Sequence, residues 1–227
     1  MNTAIIVAAG RGKRFASDTP KQFVDLLGKS VIFHTIDRFD RCDAIDDIVV
    51  VLAQDRVEWF GAESAKYSID KPLRIAVGGK TRVESVRNGF RTLGPSVDLV
   101  AVHDAARPLV TIAEISRTIE GARETGAACL VASVADTIKE IKNKKISRTI
   151  DRSSLRRALT PQVFRYEILR EALENCDISE NVTDECSLVE KAGREIAFID
   201  GSSRNIKITV PDDLVIAEAL LRVEGVV

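Results

Sequence analysis

An apolar run, Thr3-Ala4-Ile5-Ile6-Val7, leads into Ala8-Ala9-Gly10-Arg11-Gly12-Lys13-Arg14-Phe15, and Pro20-Lys21-Gln22 follows a polar turn. Small residues bare their backbone N–H groups there and cations stand at both ends, so the loop suits a polyphosphate. Two common phosphate loops fail on spacing. The dinucleotide fingerprint needs a third glycine where helix meets strand, and Phe15 stands at that place. A P-loop needs Gly-Lys-Ser/Thr so that a hydroxyl can hold the metal, and Gly12-Lys13 is followed by Arg14. What remains is a loop of backbone amides with Arg14 and Lys21, suited to phosphates whose charge grows during reaction. The plain alternative is a basic surface loop at a strand-to-helix junction, where turn glycines are common.

Two further stretches carry chemistry. In His103-Asp104-Ala105-Ala106-Arg107-Pro108 a carboxylate and a guanidinium follow a buried strand with only alanines between them. Asp104 can steer Mg²⁺ through water or accept from a ribose hydroxyl, and Arg107 can grip a phosphate in bidentate fashion. A salt-bridged strand end is the competing reading. His103 has no nucleophile or carboxylate at triad-like placement, and His34 is the only other histidine. In Gly78-Gly79-Lys80-Thr81-Arg82-Val83-Glu84-Ser85 a glycine turn enters a helix, and a base can lie flat on it. A tight turn with Thr81 as N-cap explains it equally well. Thr137 with Arg152, Thr160-Pro161-Gln162, Thr183-Asp184-Glu185 and Asn205-Ile206-Lys207 are weaker phosphate candidates, each explicable as a cap, turn or exposed cation. Thr183 is expected to cap its helix in any case.

Positioning these residues requires a layered frame. Short β-branched runs recur at Thr3–Val7, Ile48–Leu52, Leu73–Val77, Leu99–Val102 and Ala128–Val131. Helical spacing fills the gaps at Ser30–Phe39, Asp55–Lys66, Thr81–Leu93 and Thr111–Thr125, with Thr81 and Thr111 as N-caps and Gly94-Pro95 and Gly126 as stops. This predicts an α/β fold, a Rossmann-like, mostly parallel sheet with helices on both faces. Ligands in such sheets bind beyond the carboxyl ends of the strands, where the glycine loop, Gly78-Gly79 and His103-Asp104 fall. The pattern breaks at Asp136–Ile141, which alternates, turns at Asn143-Lys144 and returns through Ile146–Ile150. That hairpin has too little apolar surface to stand alone, so a second subunit is its expected support. Helices near Phe164–Asn175 and Asp184–Lys191, strands at Glu195–Ile199 and Asn205–Thr209, and a closing helix from Pro211 complete the order.

The 227 residues suit one α/β domain, expected to bury roughly 70–75% of the unfolded surface. With 33 Lys and Arg against 34 acids the net charge is −1, so no global field draws nucleic acid or an anionic membrane, and phosphate chemistry must be local. Cys42, Cys129, Cys176 and Cys186 lack CxxC spacing and read as buried free thiols in a reducing compartment. No apolar run approaches a membrane span and no secretory leader opens the chain, so a soluble cytoplasmic protein is expected.

Taken together, Ala8-Ala9-Gly10-x-Gly12-x-Arg14-Phe15, Pro20-Lys21-Gln22, the run Val102 to Pro108, Leu159-Thr160-Pro161-Gln162, Thr183-Asp184-Glu185 and Asn205-Ile206-Lys207-Ile208-Thr209 resemble the 2-C-methyl-D-erythritol 4-phosphate cytidylyltransferases of the non-mevalonate isoprenoid pathway. The match runs in order from residue 4 to about residue 220. Cys186 stands where that family usually has alanine and Phe15 where many members have methionine, departures that touch no charge. The resemblance implies a single nucleotidyltransferase domain over 1–227, with 136–152 a β-arm for dimerisation. It implies cytidylyl transfer from CTP to a polyol phosphate, methylerythritol phosphate, with release of pyrophosphate and Mg²⁺ across the phosphates. By the same resemblance Arg14, Lys21, Arg152 and Lys207 are the catalytic residues: the first two act on the triphosphate, and Arg152 and Lys207 position the attacking phosphate. Ala8, Ala9, Gly10, Gly12, Gly78, Gly79, Ser85, Asp104 and Ala105 belong to the nucleotide side, Asp104 also to the metal. Arg107, Thr137, Arg152, Thr160 and Thr183 form the alcohol site, which the hairpin completes across a homodimer. Ribitol 5-phosphate cytidylyltransferase shares fold, loop and chemistry, but Leu159 and Ala106 look more like the isoprenoid enzyme. A nicotinamide oxidoreductase would need the missing glycine and an acid after the second strand. Asp55 lies near there, but loop cations make little sense for hydride transfer. A non-catalytic nucleotide sensor is disfavoured by Arg14 and Lys21 together.

Overall fold

A computed structural model describes residues 1–10, 12, 15, 19–175, 182–223 and 225. The described elements run β1 (Asn2–Ala8), β2 (Asp25–Leu26), β3 (Lys29–Ser30), α1 (Val31–Asp40), β4 (Asp47–Leu52), α2 (Val57–Ser64), β5 (Leu73–Val77), α3 (Arg82–Phe90), β6 (Leu99–Asp104), α4 (Ile112–Thr125), β7 (Ala127–Ser133), β8 (Ile138–Lys142), β9 (Lys145–Ile150), β10 (Arg156–Arg165), α5 (Tyr166–Glu174), α6 (Glu185–Lys191), β11 (Ala197–Asp200) and α7 (Pro211–Val223).

Seven strands form one sheet in the order β11-β7-β10-β6-β1-β4-β5. Every pairing is parallel except those of β10, which lies antiparallel between β6 and β7. Alternation along the strands sorts the core into two layers. On one face Ala4, Ile6, Ile48, Val50 and Leu52 meet Ile32, Phe33 and Ile36 of α1, Phe60 of α2 and Ile115 and Ile119 of α4. On the other, Ile5, Val49 and Val51 meet Val83, Val86 and Phe90 of α3, with Leu169 of α5 and Val189 of α6 beyond them. A third cluster joins α7, through Ala217 and Leu221, to Ala106, Leu109 and Ile208. Among the described residues no helix is long and apolar enough to cross a membrane.

Local chemistry sets the element ends. Thr81 and Thr111 each close a capping box, with Glu84 and Glu114. Gly126 ends α4 at φ +92°, where a side chain would be strained. In the hairpin β8–β9, Asn143 and Lys144 both take positive φ, as a two-residue turn matching the strand twist requires. The hairpin is a separate two-stranded sheet, with Ile141 and Ile146 well exposed.

Three expectations need correction. Phe164 and Arg165 end a strand, not a helix: Arg156–Arg165 is one ten-residue strand, and α5 begins at Tyr166. Its opening arginines and internal Pro161 hide it, because proline interrupts a ladder; here the register shifts between Ala158 and Gln162 around a cis Thr160–Pro161 bond. Asn205–Thr209 is not a strand, and the Ile208 N–H instead donates to the Ala106 carbonyl at 2.8 Å. Asp184, not Thr183, caps α6 by accepting the Ser187 N–H at 3.1 Å.

Candidate active site

The carboxyl ends of β1, β4, β5 and β6 open onto a cavity of about 1030 Å³. Its first wall is the loop after β1. Gln22, 3% exposed, donates its amide to the carbonyls of Ala8 (2.6 Å) and Gly10 (2.8 Å), holding the chain as it leaves the strand. Gly12 sits at φ +61°, and the Lys21 stem passes 3.6 Å from where a Gly12 Cβ would stand. Gly10, Gly12 and Lys21 all face the cavity.

The second wall is the turn after β5. A Cβ on Gly78 would stand 2.3 Å from the Ala9 Cβ and 3.0 Å from Ser85 Oγ, so glycine is needed there for close approach. Ser85 Oγ accepts the Gly79 N–H (3.1 Å) and donates to the Thr81 carbonyl (2.8 Å), while Glu84 accepts the N–H groups of Lys80 (2.5 Å) and Thr81 (3.3 Å). Beyond the Gly78 N–H, which donates to the Leu52 carbonyl at 2.7 Å, these bonds span no more than six residues.

The floor is a charge cluster. Asp104, at the end of β6, accepts from Arg82 Nη2 (3.2 Å), Arg107 Nε (3.2 Å) and Lys207 Nζ (2.9 Å). Burial alone would push its carboxyl up, but Arg82, Lys207 and Arg107 outweigh burial and hold it well below the usual carboxylate range. Arg82 reaches further, to the fully buried Glu185 at the start of α6. Arg107 donates to the Asn205 carbonyl at 2.8 Å, which fixes the segment carrying Lys207.

Behind the floor, burial lowers His103 to about 3, so the ring is neutral at physiological pH. Its Nε2 faces the Arg107 carbonyl at 3.2 Å and must carry the proton, leaving Nδ1 to accept the Thr160 hydroxyl at 3.0 Å. Thr160 Oγ1 in turn accepts the Asp104 N–H at 3.1 Å.

The chain that carries this site is similar to known proteins over nearly its whole length. The family model for 2-C-methyl-D-erythritol 4-phosphate cytidylyltransferase matches residues 2–223. The chain belongs to this family. A cytidylyltransferase of that name from Bacillus licheniformis is 40% identical over 226 residues, 99% of this chain and 97% of the relative. One from Clostridium botulinum is 40% identical over 97% of each. Among solved structures, the 4-diphosphocytidyl-2C-methyl-D-erythritol synthase of Anaerococcus prevotii aligns with TM-score 0.87 and 28% identity over 98% of this chain and 96% of that one. The Thermus thermophilus cytidylyltransferase aligns at 0.77 and 30% identity over 96% and 98%.

Within this cytidylyltransferase fold the expected residues divide. Ala9, Gly10, Gly12, Lys21, Gly78, Gly79, Ser85, Asp104 and Lys207 share the cavity wall. Ala8, Ala105, Arg107 and Thr160 lie directly behind it; the Ala105 N–H donates to the Val7 carbonyl at 3.1 Å. Thr160 is 3% exposed, and its hydroxyl is already committed to His103 and Asp104. Thr137 and Arg152 flank the hairpin, exposed and outside the cavity lining; Arg152 donates to the Ala135 carbonyl. Thr183 is exposed beside α6 and also outside the lining. Arg14 and Cys176 lie outside the described residues.

Sequence reasoning gave no role to Gln22, Arg82, Gln162 or Glu185, although all stood in quoted motifs. Gln162 is 1% exposed; its carbonyl accepts the N–H groups of Glu185 and Cys186 at 3.0 Å, and its amide donates to Asp184 at 2.8 Å. A glutamine within the apolar-flanked stretch before Val163-Phe164, with an acidic helix start further on, was the available signal.

Among the described residues no three His, Cys, Asp or Glu side chains converge as a metal cage. Magnesium commonly binds through one or two carboxylates plus substrate phosphates and water. Asp104 and the exposed Asp55 line the cavity, two carboxylates of the kind that such an ion uses when a triphosphate brings it in.

Proposed function

We infer that this chain transfers the cytidylyl group of CTP to 2-C-methyl-D-erythritol 4-phosphate, giving 4-diphosphocytidyl-2-C-methyl-D-erythritol and pyrophosphate. The observation that carries the reading is the family match across residues 2–223. The cavity supports it by supplying cations and backbone amides but no general base. None is needed, because a phosphate monoester with a second pKa near ~6 is already a nucleophilic anion at neutral pH. A phosphate oxygen of the acceptor attacks the α-phosphorus, the bond to the β-phosphate breaks, and pyrophosphate leaves with the electron pair.

The barrier is the approach of one anion to another. Arg14 and Lys21 take the charge growing on the triphosphate, and Lys207, beside Asp104, draws in the attacking phosphate. The backbone of Ala8 to Gly12 and of Gly78 and Gly79, with Ser85, holds the nucleotide, and the missing side chain at Gly78, whose Cβ would meet that of Ala9, lets the two turns come together beside the base. Asp104 would hold a magnesium ion arriving with CTP, which when bound supplies further charge neutralisation at the phosphates. Arg107 and Thr160 set the floor, and Thr183 borders the alcohol. Thr137 and Arg152 reach a second copy's cavity through the β-arm of a homodimer, an assignment favoured by the exposed Ile141 and Ile146 on a hairpin too small to stand alone. One nucleotidyltransferase domain spans 1–227 with 136–152 as this arm. Buried free thiols at Cys42, Cys129 and Cys186 accord with a reducing cytoplasm.

The test is pyrophosphate release from CTP and Mg²⁺ with methylerythritol phosphate or ribitol 5-phosphate in parallel, and Lys21→Ala as control. Release with methylerythritol phosphate alone, lost in the variant, is expected. Release with ribitol phosphate alone would refute the substrate assignment.

A further inference from the structure

Arg82 follows the nucleotide turn directly and lines the cavity, yet both its terminal nitrogens are spoken for. One reaches Asp104 at 3.2 Å and the other contacts Glu185. Glu185 is 0% exposed, and its second oxygen, Oε2, is buried without a hydrogen-bond partner among the described residues. Burial pushes the Glu185 carboxyl up and Arg82 opposes it. A buried carboxylate with an orphan oxygen is a poor stabilising device, because apolar residues of similar volume often fill such a place at no cost. Its presence calls for another reason.

That reason lies in what the pair connects. The charges alternate from Glu185 through Arg82 and Asp104 to Arg107 and Lys207. The chain joins α6, α3, the end of β6 and the segment before α7. Gln162 pins its far end by accepting the Glu185 N–H at 3.0 Å. With Arg82 shared between two carboxylates, Asp104 keeps one oxygen turned to Arg107 and Lys207. Without Glu185 the guanidinium is free to close on Asp104 and displace Lys207 from it.

We propose that Glu185 and Arg82 are positioning residues for the acceptor half of the reaction, holding Asp104 so that Lys207 and Arg107 present their charge to the incoming phosphate. The glycine turn read as the nucleotide's seat does not rest on them, since Ser85 and Glu84 hold it through local bonds. The proposal rests on the cytidylyl-transfer reading, and wild-type enzyme in the same assay separates the two: no pyrophosphate release by wild type refutes that reading, whatever the variants do.

The experiment compares steady-state kinetics of wild type, R82M/E185L and E185Q, each checked for folding by thermal melt. R82M/E185L replaces the pair by apolar residues, so a merely structural pair leaves the melt and both substrates' constants near wild type. The expected result is a folded protein whose kcat/KM for methylerythritol phosphate falls on the order of 10²-fold, the cost of a misplacement near 1 Å. KM for CTP stays within about threefold, and Glu185→Asp, which keeps the charge, recovers part of the loss. If R82M/E185L does not fold, the nearly isosteric E185Q carries the same comparison. Constants near wild type for both substrates, or equal losses for both, overturn the proposal.

Discussion

The two halves of the cavity are built differently. Around the glycine turns most bonds that fix the wall are short in sequence, Ser85 with Gly79 and Thr81 and Glu84 with Lys80, anchored by Gln22 on Ala8 and Gly10 and by the Gly78 N–H on the Leu52 carbonyl. Around Asp104 the bonds span the chain, joining residues 82, 104, 107, 185, 205 and 207. On the proposed reading the nucleotide is taken by the locally held turns and the acceptor by a set of charges that only the folded whole brings together. Local walls tolerate change elsewhere, whereas the floor couples distant substitutions to one another.

Several changes would break that contrast, beginning with the largest. Lys21→Ala removes a charge from the transferring phosphates and is expected to lower kcat on the order of 10²–10³-fold, read by pyrophosphate release. Lys207→Ala should cost about 10²-fold in kcat/KM for the acceptor with KM for CTP nearly unchanged; equal losses for both substrates would erase the division into halves. Gly78→Ala forces a methyl to 2.3 Å from the Ala9 Cβ, so a stability loss of about 1–3 kcal/mol by urea unfolding should accompany a raised KM for CTP alone.

The smallest effect sharpens the view of the floor. His103 titrates near 3 in the fold against an ordinary 6.5, so between those values the unfolded chain takes up a proton that the native state refuses. Stability is therefore lost as pH falls below 6.5, and His34, also lowered by burial, acts in the same direction. Asp104, held low, adds to the same loss only once the pH nears the ordinary carboxylate range. From pH 7 to 5 wild type should lose about 1–2 kcal/mol more than His103→Asn in urea unfolding, and parallel losses would exclude His103 as the source.

The same contrast explains what the sequence made legible. The strand alternation, the capping boxes at Thr81 and Thr111, the glycine turns and the hairpin are short-range patterns and could be read in order. Strand β10 escaped because Arg156, Arg157 and Pro161 break its pattern, while its place between β6 and β7 is decided by partners 23 to 66 residues away. Thr183 lost its helix cap to Asp184, one residue on and equally suited to the task. Arg82 and Glu185 had no visible role because their meeting depends on α3 and α6 packing on one face of the sheet. Thr160 was named from its motif, but the commitment of its hydroxyl to His103 depends on the packing of β10 against β6.

The division into a locally held nucleotide half and an acceptor half assembled from afar is tested most directly by mixing Lys21→Ala chains with Arg152→Ala chains and measuring pyrophosphate release. If the hairpin of one copy completes the cavity of another, each hybrid dimer has one intact site. A random equal mixture should then regain about a quarter of wild-type activity. Mixtures no more active than either parent would contradict the account.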